Sequence, residues 1–207
     1  EGVGAIKFKL CENDVDSMSR LAVLVGAAIN QDGKSATLTA PNGPSQQEVI
    51  KESMREGGLT PNMTTVAELH GTGTALGDPI EVGALETVIR IDRGLRPILK
   101  TAAKTNLGHL EASAGLAGLI KCVVMLSFSC ALPNIHLHQL NAHLETDGYP
   151  VYFETETTDY WSNSGLAGVS SFGFGGTNAR ADVWGHAQHG HRYSITGILP
   201  RSCSILV

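Results

Sequence analysis

The chain has 207 residues, 42% hydrophobic and 17% charged, with a formal net charge of −5. That is enough sequence for one well-cored domain. The acidic balance, with no basic run and no aromatic–basic interleaving, leaves no footprint for nucleic-acid binding. Cysteines stand at 11, 122, 130 and 203 with no CxxC pair, so neither a zinc site nor a disulfide framework is expected. Reduced thiols and no signal-peptide pattern favour a cytoplasmic location, with a plastid or other organelle left open.

In chain order, residues 1–10 read as a strand, with Val3, Ala5, Ile6, Phe8 and Leu10 as its apolar positions. Residues 11–20 form a polar loop. Residues 21–30 are a nearly continuous apolar run, which predicts a strand buried on both faces. A long loop follows to Gly43. Its Gly33-Lys34-Ser35 fails the phosphate-loop pattern, because Ala28 stands where the first glycine belongs. Pro44 opens a helix whose Val49, Ile50 and Met54 keep helical spacing, and Gly57-Gly58 ends it.

Two βα units come next. Val66, Ala67 and Leu69 precede His70-Gly71-Thr72-Gly73-Thr74, and Asp78-Pro79 then starts a helix as N-cap and first helical residue. The Gly-x-Gly here is followed by Leu76 where a dinucleotide fingerprint needs its third glycine. Pro97-Ile98-Leu99 precedes Lys104-Thr105-Asn106-Leu107-Gly108-His109-Leu110-Glu111, and residues 110–126 form a helix apolar nearly all round. Such a helix is expected to be the most buried one. It contains Lys121 and reads as a core helix, so no membrane span is expected. His109 at its start would meet backbone N–H groups and the helix dipole. Each histidine lies in a glycine-flanked loop at a strand end, where α/β folds place chemistry.

Leu132-Pro133-Asn134 breaks the chain. His136 and His138 would face one way in a strand, but no third ligand stands at metal spacing, and no metal is expected. Residues 151–154 read as a short strand. Residues 166–171, 173–178 and 179–184 read as strand, glycine-rich turn and returning strand. From Gly185 on, the His-rich segment to 207 reads as a tail or linker, which divides the chain into 1–184 and 185–207.

The ordered series His-Gly-Thr-Gly-Thr, Gly-Asp-Pro-Ile-Glu, Lys-Thr-Asn-Leu-Gly-His-Leu-Glu and Gly-Phe-Gly-Gly-Thr-Asn (173–178) resembles the C-terminal half of a β-ketoacyl synthase. The resemblance is strongest to polyketide synthase ketosynthase domains. Asn30-Gln31-Asp32-Gly33 and Thr39-Ala40-Pro41-Asn42-Gly43-Pro44 look like upstream landmarks of the same family. It implies an α/β, thiolase-like fold: the C-terminal half, a mixed sheet of about five strands with a buried central helix, and the N-terminal half absent.

The implied activity is acyl transfer by decarboxylative Claisen condensation of an acyl thioester with malonyl-carrier protein. By resemblance His70 and His109 donate hydrogen bonds to the enolate oxygen, and Lys104 stands behind His109. Thr72 and Thr74 would bind the phosphopantetheine arm, Phe174 would gate the pocket, and Gly175, Gly176 and Asn178 would complete that loop. No cofactor is held by the chain itself; the substrate rides on the phosphopantetheine of an acyl carrier protein. The resemblance also implies a homodimer and a partner N-terminal half that carries the nucleophilic Cys-Ser-Ser motif. None of the four cysteines here has that context, so the chain is expected to be inactive alone. Arg180 stands where the family usually has His, and Thr101-Ala102-Ala103 replaces the usual Gly-Ser-Val. Two alternatives remain: a non-catalytic acyl- or carrier-binding, decarboxylase-like module, and an unrelated α/β binding protein with structural histidines.

Overall fold

A computed structural model describes residues 1–10, 20–33, 40–90, 97–144, 146, 150–160 and 162–188. Its main sheet has six strands, β1 (Val23–Gln31), β2 (Thr64–Glu68), β3 (Ile98–Thr101), β5 (Val151–Phe153), β7 (Ser164–Phe172) and β8 (Thr177–His186). They lie in the order β1-β8-β7-β2-β3-β5. β7, β2, β3 and β5 run parallel, and β8 and β1 are antiparallel to their neighbours. β4 (Cys130–Ala131) and β6 (Thr158–Asp159) pair separately.

Helices cover both faces, as parallel strands require. On one side α1 (Gly43–Glu56) and α2 (Gly77–Ile89) pack Val49, Ile50, Met54, Leu85, Val88 and Ile89 against Ala67 and Ile98. On the other, α4 (Ala114–Phe128) packs Cys122, Met125 and Leu126 against Val66, Leu99, Ala167, Val169 and Val183. Neighbouring residues of β2 and of β3 thus enter opposite cores, the period-2 pattern of a strand buried on both faces. A one-turn α3 (Lys104–Leu107) follows β3. Asn42 caps α1, its side chain accepting from Ser45 N–H at 3.2 Å.

Several expectations are corrected. β1 is an edge strand paired only with β8; Ile29 is 78% exposed and Leu24 41%. Its apolar run does not mean two buried faces, because α1 covers only one. Residues 1–10 form no strand: they lie extended along α4, where Ser113 Oγ donates to Gly2 O at 2.8 Å, and Val3, Phe8 and Leu10 face solvent. Residues 11–19 and 34–39, with Cys11 and most of the second loop, lie outside the described residues.

α4 is apolar all round but buried on one side only. Ala114, Gly118, Lys121, Cys122, Met125 and Leu126 face the sheet, while Ile120 is 37% exposed and Leu116, Leu119 and Val123 are half-buried. α2 is the more deeply buried helix, with Glu81, Val82, Ala84, Leu85, Glu86, Val88 and Ile89 all inside. It starts at Gly77, so Asp78 is not its cap but lies in its first turn. Among the described residues one helical stretch, Glu111–Phe128, is long and apolar enough to cross a membrane. Its Lys121 pairs with buried Glu68 at 3.1 Å, as a core helix allows. β8 runs two residues past the expected boundary: Gly185 and His186 pair with Gly165 and Ser164. The tail from His189 on lies outside the described residues.

The contact of α1 with β1 is tight enough to test. A Cβ on Gly26 would fall 2.1 Å from Ser53 O, a backbone atom that cannot swing away. Gly26→Ala should therefore push α1 off the sheet edge and cost about 1–3 kcal/mol, as overpacking does. Urea denaturation of the two proteins measures it.

Candidate active site

β2 and β3 lie side by side in register, Glu68 beside Thr101, so both release their chains at one level. One further ladder bond, Leu69 N–H to Thr101 O at 2.7 Å, brings His70 to the rim. Gly71, at φ +51°, then turns the chain away from the strand, and its missing Cβ leaves room for Ala102. The buried Glu81 carboxylate of α2 fastens this turn: it accepts His70 N–H at 2.6 Å and Gly71 N–H at 2.9 Å. Asp78, one helical turn earlier, accepts Gly73 N–H at 3.1 Å. Burial pushes the Glu81 carboxyl up to about 7 against the pull of those two N–H groups, and burial raises Asp78 as well.

The His70 ring is held on its Nδ1 side. Phe172 N–H donates to Nδ1 at 3.3 Å, and Lys104 Nζ lies 3.4 Å from the same atom while donating to His70 O at 2.5 Å. Both neighbours are donors, so Nδ1 accepts and the ring proton sits on Nε2. Burial lowers the imidazole to about 4, helped by the Lys104 charge and then by His109. His70 therefore stays neutral throughout the physiological range.

His109 reaches the same hydrogen-bonding pattern another way. It follows Gly108, at φ +76°, in an exposed loop, and Glu111 N–H donates to its Nδ1 at 3.0 Å. Its proton, too, belongs on Nε2. The expected helix N-terminus is not at His109, because a 3-10 turn, Glu111–Ser113, precedes α4. The two rings stand 6.0 Å apart, edge to face at 86°, and the Phe172 ring lies 5.8 Å from His70.

Lys104 is the clearest correction. It attends His70, not His109, because α3 starts directly after β3 and sets its first residue beside the end of β2. The remaining expected residues divide. Thr72 and Thr74 sit on the loop rim with hydroxyls 3.5 Å apart, and Thr74 Oγ1 accepts Gly77 N–H at 3.1 Å. Phe174 is 85% exposed beside exposed Gly175, and Phe172 is the phenylalanine against His70. Gly176, at φ +89°, accepts Asp32 N–H at 2.8 Å through its carbonyl. Asn178 is buried, its amide donating to Asn30 Oδ1 at 3.1 Å and Asp32 Oδ1 at 2.7 Å; it ties the turn to β1 and has no ligand-facing amide. Cys122 and Cys130 are buried thiols, and burial raises Cys122 well above the ordinary value, the opposite of an activated nucleophile. His136 and His138 lie in an irregular turn region, not a strand.

A cleft of about 700 Å³ opens beside the His70 loop, walled by Thr72, Gly73, Asp78, Lys104, Asn134 and Phe153. Sequence reasoning missed Glu81, Glu68 and Phe172 as supports of the site. Asp78 and Glu81 are one helical turn apart, which sets both carboxylates toward the loop before α2, a spacing visible in Asp-Pro-Ile-Glu.

The shift on His70 is testable. Lys104→Met removes the second-largest cause but leaves burial, so the ring should titrate part-way back from about 4 toward 6.5. Histidine ring NMR across pH 3.5–8 follows it. The sign for stability is that of a group with lowered folded pKa: its contribution is present above about 6.5 and is lost as pH falls toward 4.

Residues 21–138 match the family model described as Beta-ketoacyl synthase, C-terminal domain. The chain is 45% identical over 188 residues to polyketide synthase GfsA of Streptomyces halstedii, covering 88% of this chain and 2% of that protein. It is 41% identical over 186 residues to erythronolide synthase EryA2 of Saccharopolyspora erythraea, covering 88% and 5%. Among solved structures it is similar to the ketosynthase from module 6 of the bacillaene synthase of Bacillus subtilis 168. That match has a TM-score of 0.77 at 32% identity and covers 84% of this chain and 33% of that one. Ketosynthase twelve of the Bacillus amyloliquefaciens bacillaene synthase gives 0.75 at 35% identity, covering 81% and 30%. The chain thus spans about a third of each of these two ketosynthases, with their thiolase-like fold, and it belongs to the β-ketoacyl synthase family, in its C-terminal domain.

Proposed function

We propose that this chain is the C-terminal part, residues 1–184 with the end of β8, of a ketosynthase that joins an acyl thioester to malonyl-carrier protein by decarboxylative Claisen condensation. The observation that carries the reading is the pair of imidazoles 6.0 Å apart, each with a backbone N–H on Nδ1 and its own proton on Nε2. Decarboxylation of a malonyl thioester leaves an enolate whose oxygen gathers negative charge. Preorganised neutral donors stabilise that charge as it forms, and two Nε2–H groups on fixed loops are such donors.

The roles follow from position. His70 and His109 donate to the enolate oxygen. Lys104, behind His70, keeps it neutral. Thr72 and Thr74 on the rim would meet the amides of the phosphopantetheine arm, and Phe174 with Gly175 and Gly176 would form an exposed lip outside the residues that wall the cleft. The acyl group needs a cysteine thiolate from an upstream half, since Cys122 and Cys130 are buried and Cys11 and Cys203 lack the motif context. The half-exposed side of α4 is where such a half would pack. A carrier protein delivers the malonyl unit, and the intact enzyme works as a homodimer. A decarboxylase-like or carrier-binding module would use the same two histidines; the similarity to polyketide synthases and to ketosynthase structures is what favours the enzyme.

In the longer ketosynthase, His109→Ala and His70→Ala should each slow carbon dioxide release from malonyl-carrier protein about 10²–10³-fold, the usual loss for one such donor. Acyl loading on the cysteine should largely survive. Labelled carbon dioxide release, followed beside acyl-enzyme formation, separates the two steps; parent-rate release by His109→Ala would remove its assigned role. The 207-residue chain alone should form no condensation product.

A further inference from the structure

A buried charge pair lies one step behind the active-site turn. Arg180 of β8 donates from Nε at 3.2 Å and Nη2 at 2.9 Å to Asp182 Oδ1, and from Nη1 to Ser170 Oγ at 3.1 Å. Both charged side chains are 0% exposed. Asp182 Oδ2 accepts Ser53 Oγ–H of α1 at 2.6 Å, so the pair joins β8, β7 and α1. Position 168 on β7 must be glycine for this arrangement, since a Cβ there would fall 1.5 Å from Arg180 Nη2.

The register shows where the clamp acts. Gly168 faces Asp182, Ser170 faces Arg180, and Phe172 faces Asn178. Two positions beyond the clamp, past Ser171 opposite Ala179, stands Phe172, whose N–H donates to His70 Nδ1. β7 lies between β8 and β2, so a one-residue slip of β7 against both neighbours would turn that N–H away and reverse its two faces. A buried ion pair adds little net stability against an apolar pair, but it can hold one register against its alternatives.

We propose that Arg180 is a positioning residue for His70: through Ser170 and Asp182 it fixes the β7–β8 register that holds Phe172 N–H on His70 Nδ1. This inference rests on the assignment of His70 as an enolate donor. The groups facing His70 are Lys104 from α3, His109 from the following loop, and Glu81 of α2 beneath its backbone N–H. None of them contacts Arg180 through any hydrogen bond or ion pair described above, so the hydrogen-bonded route from Arg180 to His70 runs through Ser170 and β7.

The experiment uses the longer ketosynthase. Arg180→Met alone would strand the Asp182 charge and unfold the protein, so the informative variant is Arg180→Met with Asp182→Leu, which removes both charges. Ser170→Ala, which cuts only the link to β7, is the second variant. His70 should titrate higher in the double variant and shift in the same direction, by less, in Ser170→Ala, because a donor that favours the neutral ring is loosened. Carbon dioxide release should fall about tenfold with acyl loading unchanged. Unshifted His70 titration in either folded variant overturns the proposal, as does an equal loss of loading and decarboxylation. If the double variant does not fold, the Ser170→Ala titration decides alone. The ring titration needs no turnover, so it reports on Arg180 even if the parent protein releases no carbon dioxide, a result that would instead count against the proposed reaction.

Discussion

A single buried carboxylate organises this domain. Glu68 closes β2, and its two oxygens take Thr101 Oγ–H of β3 at 2.5 Å, Ala103 N–H before α3, and the Lys121 ammonium of α4 at 3.1 Å. Desolvating a carboxylate is costly unless it is paired and hydrogen-bonded, and here it is both. The same atoms set where β2 and β3 stop relative to each other and how far α4 approaches. Gly118 is part of that fit, since a Cβ there would come within 3.3 Å of Glu68 Cγ. His70 lies two residues beyond Glu68 and Lys104 one beyond Ala103, so the lysine–histidine contact follows from the anchor.

Outside that anchor, the loops are held by backbone N–H groups donated to side-chain acceptors. Glu81, Asp78 and Thr74 take the N–H groups of the His70 loop. Asn134 does the same work on the β3 side, accepting Ala102 N–H at 2.9 Å and donating to Lys100 O at 3.0 Å and Glu154 O at 3.1 Å. Each of these loops is irregular backbone at least partly withdrawn from water, and its polar groups need partners. The acidic residues after the His70 loop therefore act as scaffolding for the histidine.

The two histidine loops were legible in the sequence because everything that makes them is local: a short apolar strand, a glycine turn, a polar helix start. The β7–turn–β8 hairpin was legible for the same reason. What the sequence hid depends on neighbours distant in the chain. The apolar run 21–30 looks the same whether one face or two are covered, and only pairing with β8 alone decides it. The family resemblance puts Lys104 behind His109, its nearer histidine along the chain, yet parallel pairing of β2 with β3 brings it to His70. Asn178 holds the glycine-rich turn, but its partners, Asn30 on the neighbouring edge strand and Asp32 just past it, are 148 and 146 residues away in the chain.

The two imidazoles end in one hydrogen-bonding state by unlike means, and the difference has a chemical consequence. His70 is half-buried, with a lysine and a backbone N–H both at Nδ1, so its charged form is opposed by desolvation and by a cation at once. His109 is exposed and held by one local N–H from two residues on. A donor that must stay neutral in every step is best placed where the fold itself forbids the charge. A donor on an exposed loop has fewer neighbours to hold its ring in one orientation. The rigid member of the pair is therefore His70, tied to β2, β7 and α2, and the adaptable member is His109. In the reaction proposed above, the oxygen that gathers charge would meet one donor held by the fold and a second held only by its own loop.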